Sequence, residues 1–150
     1  KGGVDFLKIT DRKKELFKTS GGKYVAPAFI EGKFRESFLI EQFMVVGDGR
    51  KYVTGIILPA ADALKNWAAE QGIAVQQYED LLKDPKVISM FDSIVKKTNT
   101  FFGKSEQIKK VVLVPGPWDV DSGELTPTMK LKRRVVLAKY KDQIETMYSA

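Results

Sequence analysis

The chain has 150 residues, 43% of them hydrophobic, enough for one domain with its own core and too few for two ordinary ones. Twenty-five Lys and Arg against nineteen Asp and Glu leave a net charge of +6, which fits anionic partners in general without choosing among nucleic acid, a nucleotide and an acidic membrane surface. Cysteine and histidine are both absent, which excludes disulfides, Cys/His metal sites, cysteine nucleophiles and a Ser-His-Asp triad, so any chemistry must use Lys, Arg, carboxylates or the backbone.

In chain order, Phe6, Leu7 and Ile9 read as a short strand and Glu15 to Thr19 as a second, separated by the charged tetrad Asp11-Arg12-Lys13-Lys14. Ser20-Gly21-Gly22 is a loop. Pro27 opens a helix in which Ile30, Phe34 and Phe38 recur at spacing four, predicting an amphipathic helix to about Leu39. Glu41–Val46 and Tyr52–Leu58 are strands flanking Asp48-Gly49, a dipeptide suited to a tight hairpin turn or one a residue or two longer. Pro59 is expected to open a helix carrying Leu64, Trp67 and Ala68 and ended by Gly72. Tyr78–Leu82 is a short helix. Asp84-Pro85 pairs a capping residue with proline at the first helical position, and Val87, Phe91, Ile94, Val95 and Phe102 mark one face of a long helix to about Phe101. Lys109–Val114 is a strand stopped by Pro115 and Pro117, Asp119–Leu125 is a loop, and from Arg133 a last helix shows Val136, Tyr140, Ile144 and Met147 on one stripe. Strands and helices mix without a regular β-α repeat, so the expected class is α+β, a small mixed or antiparallel sheet flanked by helices.

Three motifs bear on chemistry. Phe102-Gly103-Lys104-Ser105 has the tail of a phosphate-binding loop, but Thr98 stands where that motif needs its first glycine, and Gly103 reads as a helix stop. The tetrad Asp11–Lys14 taken alone fits an exposed hairpin edge kept soluble by charge. The run Lys130-Leu131-Lys132-Arg133-Arg134 taken alone fits a solvated basic face. Pro127 keeps the residues before this run out of a helix, which leaves Lys130 on the loop that precedes one.

Together the two charged motifs carry a resemblance. Leu125-Thr126-Pro127-Thr128-Met129-Lys130-Leu131-Lys132-Arg133 resembles the C-terminal lysine motif of the acyl-adenylate-forming (AMP-binding) enzymes, in the form seen in the long-chain fatty acid–CoA ligase branch. Leu7 to Lys18, the following glycines, Val25-Ala26-Pro27 and Ile30-Glu31 resemble the segment where those enzymes pass from a large N-terminal domain into a small C-terminal one. The resemblance implies that the whole chain, 1–150, is that single C-terminal lid domain, with its hinge at 11–14 and the large AMP-binding domain lying outside the chain. A chain that opens at Lys1-Gly2-Gly3 without an initiator methionine fits a longer parent.

By the same resemblance, Lys130 is the catalytic lysine of adenylation, Lys14 the hinge residue and Arg12 a nucleotide contact. Lys18 with Gly21 and Gly22 would form the CoA-facing surface of the thioester step. Counting forward from Asp11 selects Gly21 as the loop glycine, and counting back from Pro27 selects Gly22. The implied reaction joins a fatty acid, ATP and CoA into acyl-CoA, AMP and pyrophosphate, with ATP and CoA as substrates and Mg²⁺ on the phosphates of the full-length enzyme. No metal site and no bound cofactor are expected in this fragment, which alone should be inactive. Its partners would be its own N-terminal domain and the substrates, with a peripheral membrane contact and no nucleic acid. No signal peptide and no apolar run approaching about 18 residues occur, so a cytoplasmic location is expected. The alternative is a non-catalytic module that binds nucleic acid or a membrane surface through its basic C-terminal helix. No aromatic residue interleaves Lys130–Arg134, and Asp142 and Glu145 dilute the charge of that helix.

Overall fold

The computed structural model describes residues 16–74, 77–128 and 130–149. Strands β1 (Phe17–Lys18) and β2 (Tyr24–Val25) form a small antiparallel ribbon. β3 (Ile40–Val46), β4 (Val53–Pro59) and β5 (Ile108–Leu113) form a mixed sheet in the order β3-β4-β5, antiparallel between the first pair and parallel between the second. All seven residues of the central strand β4 are buried, as expected of an apolar run covered on both faces.

The alternation of side chains along β3 and β4 divides the interior in two. Phe43, Val45, Val53 and Ile57 face one cluster, and Met44, Val46, Ile56 and Leu58 face the other. Helices α1 (Pro27–Phe34), α2 (Ala61–Glu70), α3 (Tyr78–Leu81) and α4 (Pro85–Asn99) feed the first cluster through Ile30, Phe34, Leu64, Leu81, Val87 and Phe91. Helices α5 (Arg133–Lys139) and α6 (Lys141–Tyr148) feed the second through Val136, Ile144 and Met147. The Phe34 and Phe43 rings stack with centroids 4.0 Å apart, and a Cβ on Gly55 would come within 2.2 Å of the Phe43 ring. Glycine at 55 is therefore what lets the aromatic stack lie against β4.

Several element ends differ from the sequence reading. The first helix stops at Phe34, capped through the Arg35 N–H to the Glu31 carbonyl, and Phe38 is 74% exposed rather than on the buried stripe. Pro59 closes β4 instead of opening α2, which starts at Ala61. The hairpin connection spans residues 47–52, with Gly49 at φ +73°, so it is longer than a tight two-residue turn. The last helix is two, broken at Tyr140 (φ −111°, ψ 27°), whose hydroxyl accepts a hydrogen bond from the Trp118 indole N–H at 2.9 Å. The expected stripe is nonetheless the buried one: Val136, Tyr140, Ile144 and Met147. Signals with a local cause fall where expected. Asp84 Oδ1 caps α4 by accepting from the Lys86 N–H at 2.8 Å. Gly72 (φ +74°) ends α2, with its N–H donating to Ala69 and that of Ile73 to Ala68. The expected strand at Phe6–Ile9 and the tetrad Asp11–Lys14 lie outside the described residues.

One carboxylate ties the two outer layers together. Glu31 is 3% exposed and accepts from the Val45 N–H at 2.9 Å, on the free edge of β3. It also accepts two hydrogen bonds from the Arg133 guanidinium, one of them at 3.1 Å, and that guanidinium lies 5.4 Å over the Phe17 ring. Glu31→Ala would leave an edge N–H unsatisfied and remove the carboxylate that accepts two hydrogen bonds from the Arg133 guanidinium. Urea unfolding followed by circular dichroism is expected to show a loss of about 3 kcal/mol for this variant. Glu31→Gln, whose amide oxygen still accepts from Val45, should lose less. A Glu31→Ala protein as stable as the parent would refute the clamp.

Candidate functional site

Residues 124–128 and 130–132 form the two arms of a loop. Its base is an antiparallel bridge between Leu125 and Leu131, with the Lys132 N–H donating to the Glu124 carbonyl at 2.8 Å. Inside that base, the Thr126 N–H donates to the Lys130 carbonyl at 2.8 Å and the Lys130 N–H donates to Thr126 Oγ1 at 3.1 Å. The hydroxyls of Thr126 and Thr128 lie 3.0 Å apart. Leu125 is buried in the second cluster and Leu131 packs against it, so the loop is rooted in the core. Lys130 is exposed, on a backbone pinned on both sides.

The basic run is not uniform. Lys130, Lys132 and Arg134 are exposed, whereas Arg133 turns inward to Glu31, its side chain only 17% exposed. This division follows from the helix start: Lys132 caps α5, and Arg133 begins the turn that faces the sheet edge.

Glu124 is the second buried carboxylate, 1% exposed. Lys139, near the end of α5, forms an ion pair with it, Ser122 Oγ lies within hydrogen-bond reach, and the Asp119 N–H donates to it at 3.3 Å. Burial pushes its pKa up, but the hydrogen bonds from Lys139 and Ser122 outweigh burial and bring the carboxyl down to about 2.

The other expected surface, Lys18 to Gly22, sits elsewhere. The Lys18 carbonyl accepts from the Gly49 N–H at 2.9 Å and the Ser20 N–H donates to the Arg50 carbonyl at 2.9 Å, so the turn leans on the β3–β4 connection. Lys18 is exposed, with Nζ 5.7 Å from the Tyr24 ring centroid. Gly22 has φ +86°, a conformation that favours glycine, and its N–H donates to the Thr19 carbonyl at 2.9 Å; Gly21 carries no such constraint. Phe17 and Val25, which flank this turn, belong to the first cluster, and the Lys130 loop belongs to the second. The two surfaces are thus rooted in different clusters, although Phe17, next to Lys18, lies under the Arg133 guanidinium. Arg12 and Lys14 lie outside the described residues.

Sequence reasoning passed over Glu31, Glu124 and Lys139 as site-forming groups. Glu31 had a signal, since it falls within the buried stripe Pro27, Ile30, Glu31 and Phe34. Glu124 had none, because its burial depends on a residue fifteen positions away. Among the described residues no three carboxylates gather into a metal site. Among them, too, no helix is long and apolar enough to cross a membrane.

Comparison with known proteins bears on this geometry. Residues 15–150 match the family described as AMP-binding enzyme C-terminal domain. The chain is 41% identical over 152 residues to the long-chain-fatty-acid–CoA ligase FadD15 of Mycobacterium tuberculosis, covering 99% of this chain and 25% of that protein. It is 37% identical over 146 residues to human long-chain-fatty-acid–CoA ligase 6, covering 95% and 21%. The chain therefore spans about a quarter of the length of these relatives. Among solved structures, the A-PCP didomain of a carboxylic acid reductase from Segniliparus rugosus, in complex with AMP, superposes with a TM-score of 0.71 at 22% identity, over 91% of this chain and 18% of that one. At that identity the likeness concerns the fold, an α+β arrangement shared with domains of adenylate-forming enzymes.

The Glu124 geometry predicts a pH signature. The folded carboxyl is depressed from an ordinary 4.5 to about 2, so the unfolded chain binds the extra proton between those values and stability falls as pH falls through them. The contribution is complete above about 4.5 and lost near 2. Urea midpoints measured across that window should decline more steeply for the parent than for Glu124→Gln, and parallel curves would contradict the assignment.

Proposed function

Because the chain belongs to the family of AMP-binding enzyme C-terminal domains, we propose that all of 1–150 is the mobile lid of a long-chain fatty acid–CoA ligase. Lys130 serves its adenylation half-reaction, and the Lys18–Gly22 surface its thioester half-reaction. What supports this reading is the Lys130 loop: an exposed cation on a backbone closed by its own hydrogen bonds and rooted in the core. It can be carried as a unit into a site formed by another domain.

In the first half-reaction a fatty carboxylate oxygen attacks the α-phosphorus of ATP, the bond to the bridging oxygen breaks and pyrophosphate leaves. Two anions must meet, and charge builds on the phosphoryl oxygens. A lysine placed between carboxylate and phosphate stabilises that charge more in the transition state than in the ground state. Lysine suits the task as a point charge on a flexible stem. In the second half-reaction the thiolate of CoA attacks the acyl carbonyl and AMP leaves, which requires Lys130 to withdraw and leave room for the thiol. Rotation of the lid about Lys14 exchanges one face of the domain for the other, with Arg12 contacting the nucleotide. CoA, ATP and fatty acid are the substrates in this account, and the large AMP-binding domain is the partner of the lid.

Two experiments on the full-length enzyme test this. Lys130→Ala should lower fatty-acid-dependent pyrophosphate exchange by a factor on the order of 10²–10³ while sparing thioester formation from supplied acyl-adenylate. Lys132→Ala and Arg134→Ala are the neighbouring controls; Arg133 is unsuitable because its guanidinium holds Glu31. Equal damage to both half-reactions by Lys130→Ala would refute its role.

Lys14→Pro probes the hinge, since proline locks φ near −65° and removes the amide donor. The folded variant should retain pyrophosphate exchange and lose acyl transfer to CoA, whereas Lys14→Ala should do little. Loss of both half-reactions together, with circular dichroism unchanged, would exclude Lys14 as the hinge.

A further inference from the structure

We propose that Glu124 is a positioning residue for Lys130, acting through its ion pair with Lys139. This rests on the adenylation role of Lys130 argued above. The Lys130 loop leaves the core at Leu125 and returns at Leu131, and its orientation depends on how its incoming strand is held against the outgoing helix α5. Glu124 supplies that hold from two atoms groups at once. Its backbone carbonyl accepts from the Lys132 N–H, the capping residue of α5, at 2.8 Å. Its carboxylate reaches Lys139 at the other end of the same helix, while the Asp119 N–H and Ser122 Oγ bind it from the preceding turn. Both ends of α5 are thereby tied to one residue at the root of the loop.

The asymmetry of burial fits this role. Glu124 is 1% exposed, whereas the Lys139 side chain is 43% exposed. An exposed lysine has no packing need for a partner, but a buried carboxylate must be paired or hydrogen-bonded. The carboxylate is therefore the fixed post and Lys139 the strap drawn to it. Without that post, segment 119–125 and α5 keep the backbone contacts at the loop base and the packing of Leu125 with Val136 in the second cluster, but lose the polar tie at Lys139. Lys130 must sit between two small anionic groups, and a misplacement of about 1 Å there costs rate steeply.

The test uses the full-length enzyme carrying Glu124→Leu, Glu124→Gln or Lys139→Met, the corresponding double variant Glu124→Leu/Lys139→Met, and Lys130→Ala in parallel. Each is assayed for pyrophosphate exchange, thioester formation from supplied acyl-adenylate, and folding by circular dichroism. Folded Glu124→Leu and Lys139→Met should each lose about tenfold to a hundredfold in the kcat of adenylation, with KM for ATP little changed and thioester formation within about twofold. The double variant should be no worse than the worse single one, since both break one tie. Glu124→Gln, which keeps the acceptor for the Asp119 N–H, should recover part of the loss. Parent-like adenylation in folded Glu124→Leu and Lys139→Met, alongside a Lys130→Ala defect, would overturn this proposal alone. Equal loss of both half-reactions in these variants would reduce Glu124 to a structural residue and also overturn it. A silent Lys130→Ala would remove the reading on which it rests. Should Glu124→Leu fail to fold, Lys139→Met and Glu124→Gln decide the matter by the same criteria.

Discussion

Burying the Glu31 carboxylate at the free edge of β3 is the constraint on which the arrangement of layers depends. A charge removed from water costs several kcal/mol unless it is paired and its remaining lone pairs are filled, and here both conditions are met by groups from distant parts of the chain. Val45 fills one from the sheet, and Arg133 supplies the countercharge from the helix that follows the Lys130 loop. The pairing is directional, since a bidentate guanidinium holds an angle as well as a distance. The start of α5 is therefore set against α1 across the edge of the sheet, although the two helices feed different hydrophobic clusters. A second consequence is that one edge donor, the Val45 N–H, is withdrawn from pairing with another strand.

How much of this could be read from the sequence follows from the range of each interaction. Where the cause is local, the reading and the structure agree: proline at the start of α1, the Asp84 cap, the glycine after α2, the two strands on either side of Asp48-Gly49. Where it is tertiary they part. Phe38 continues the spacing of Ile30 and Phe34, yet the chain must turn into β3 after Phe34, and periodicity alone carries no information about that turn. The break at Tyr140 is likewise invisible, since it accompanies a hydrogen bond from Trp118 twenty-two residues earlier. The candidate site divides in the same way. Lys130 on a loop before a helix follows from Pro127 and the helical pattern beyond it, whereas the sorting of Arg133 from its basic neighbours depends on Glu31, a hundred and two residues away. A basic run in sequence is thus a mixture of exposed cations and one internal clamp in space.

The two buried carboxylates differ in kind. Glu31 joins the layers and Glu124 joins the two ends of one short helix to the turn before it. Both use a cation from α5, at its first and last residues respectively. A helix of seven residues has little intrinsic stability in water, so tertiary anchors at each end must decide where it lies. This accounts for why a segment rich in β-branched and basic residues holds a helix here at all: Val136 packs into the second cluster, and the ends are pinned by charge.

That anchoring bears on how a lid of this kind can work. A lysine delivered to a phosphoryl-transfer site by a floppy loop would lose much of its transition-state advantage to the entropy of ordering the loop at the moment of reaction. In this chain the Lys130 N–H and carbonyl are both held by Thr126. In the proposed function movement accordingly belongs to the whole domain rather than to the loop. The Lys130 loop and the Lys18–Gly22 turn are rooted in different clusters of the same domain. Under the proposed function one body carrying two reactive surfaces serves two steps by turning, and the ion pairs at the two ends of α5 help to hold that body together.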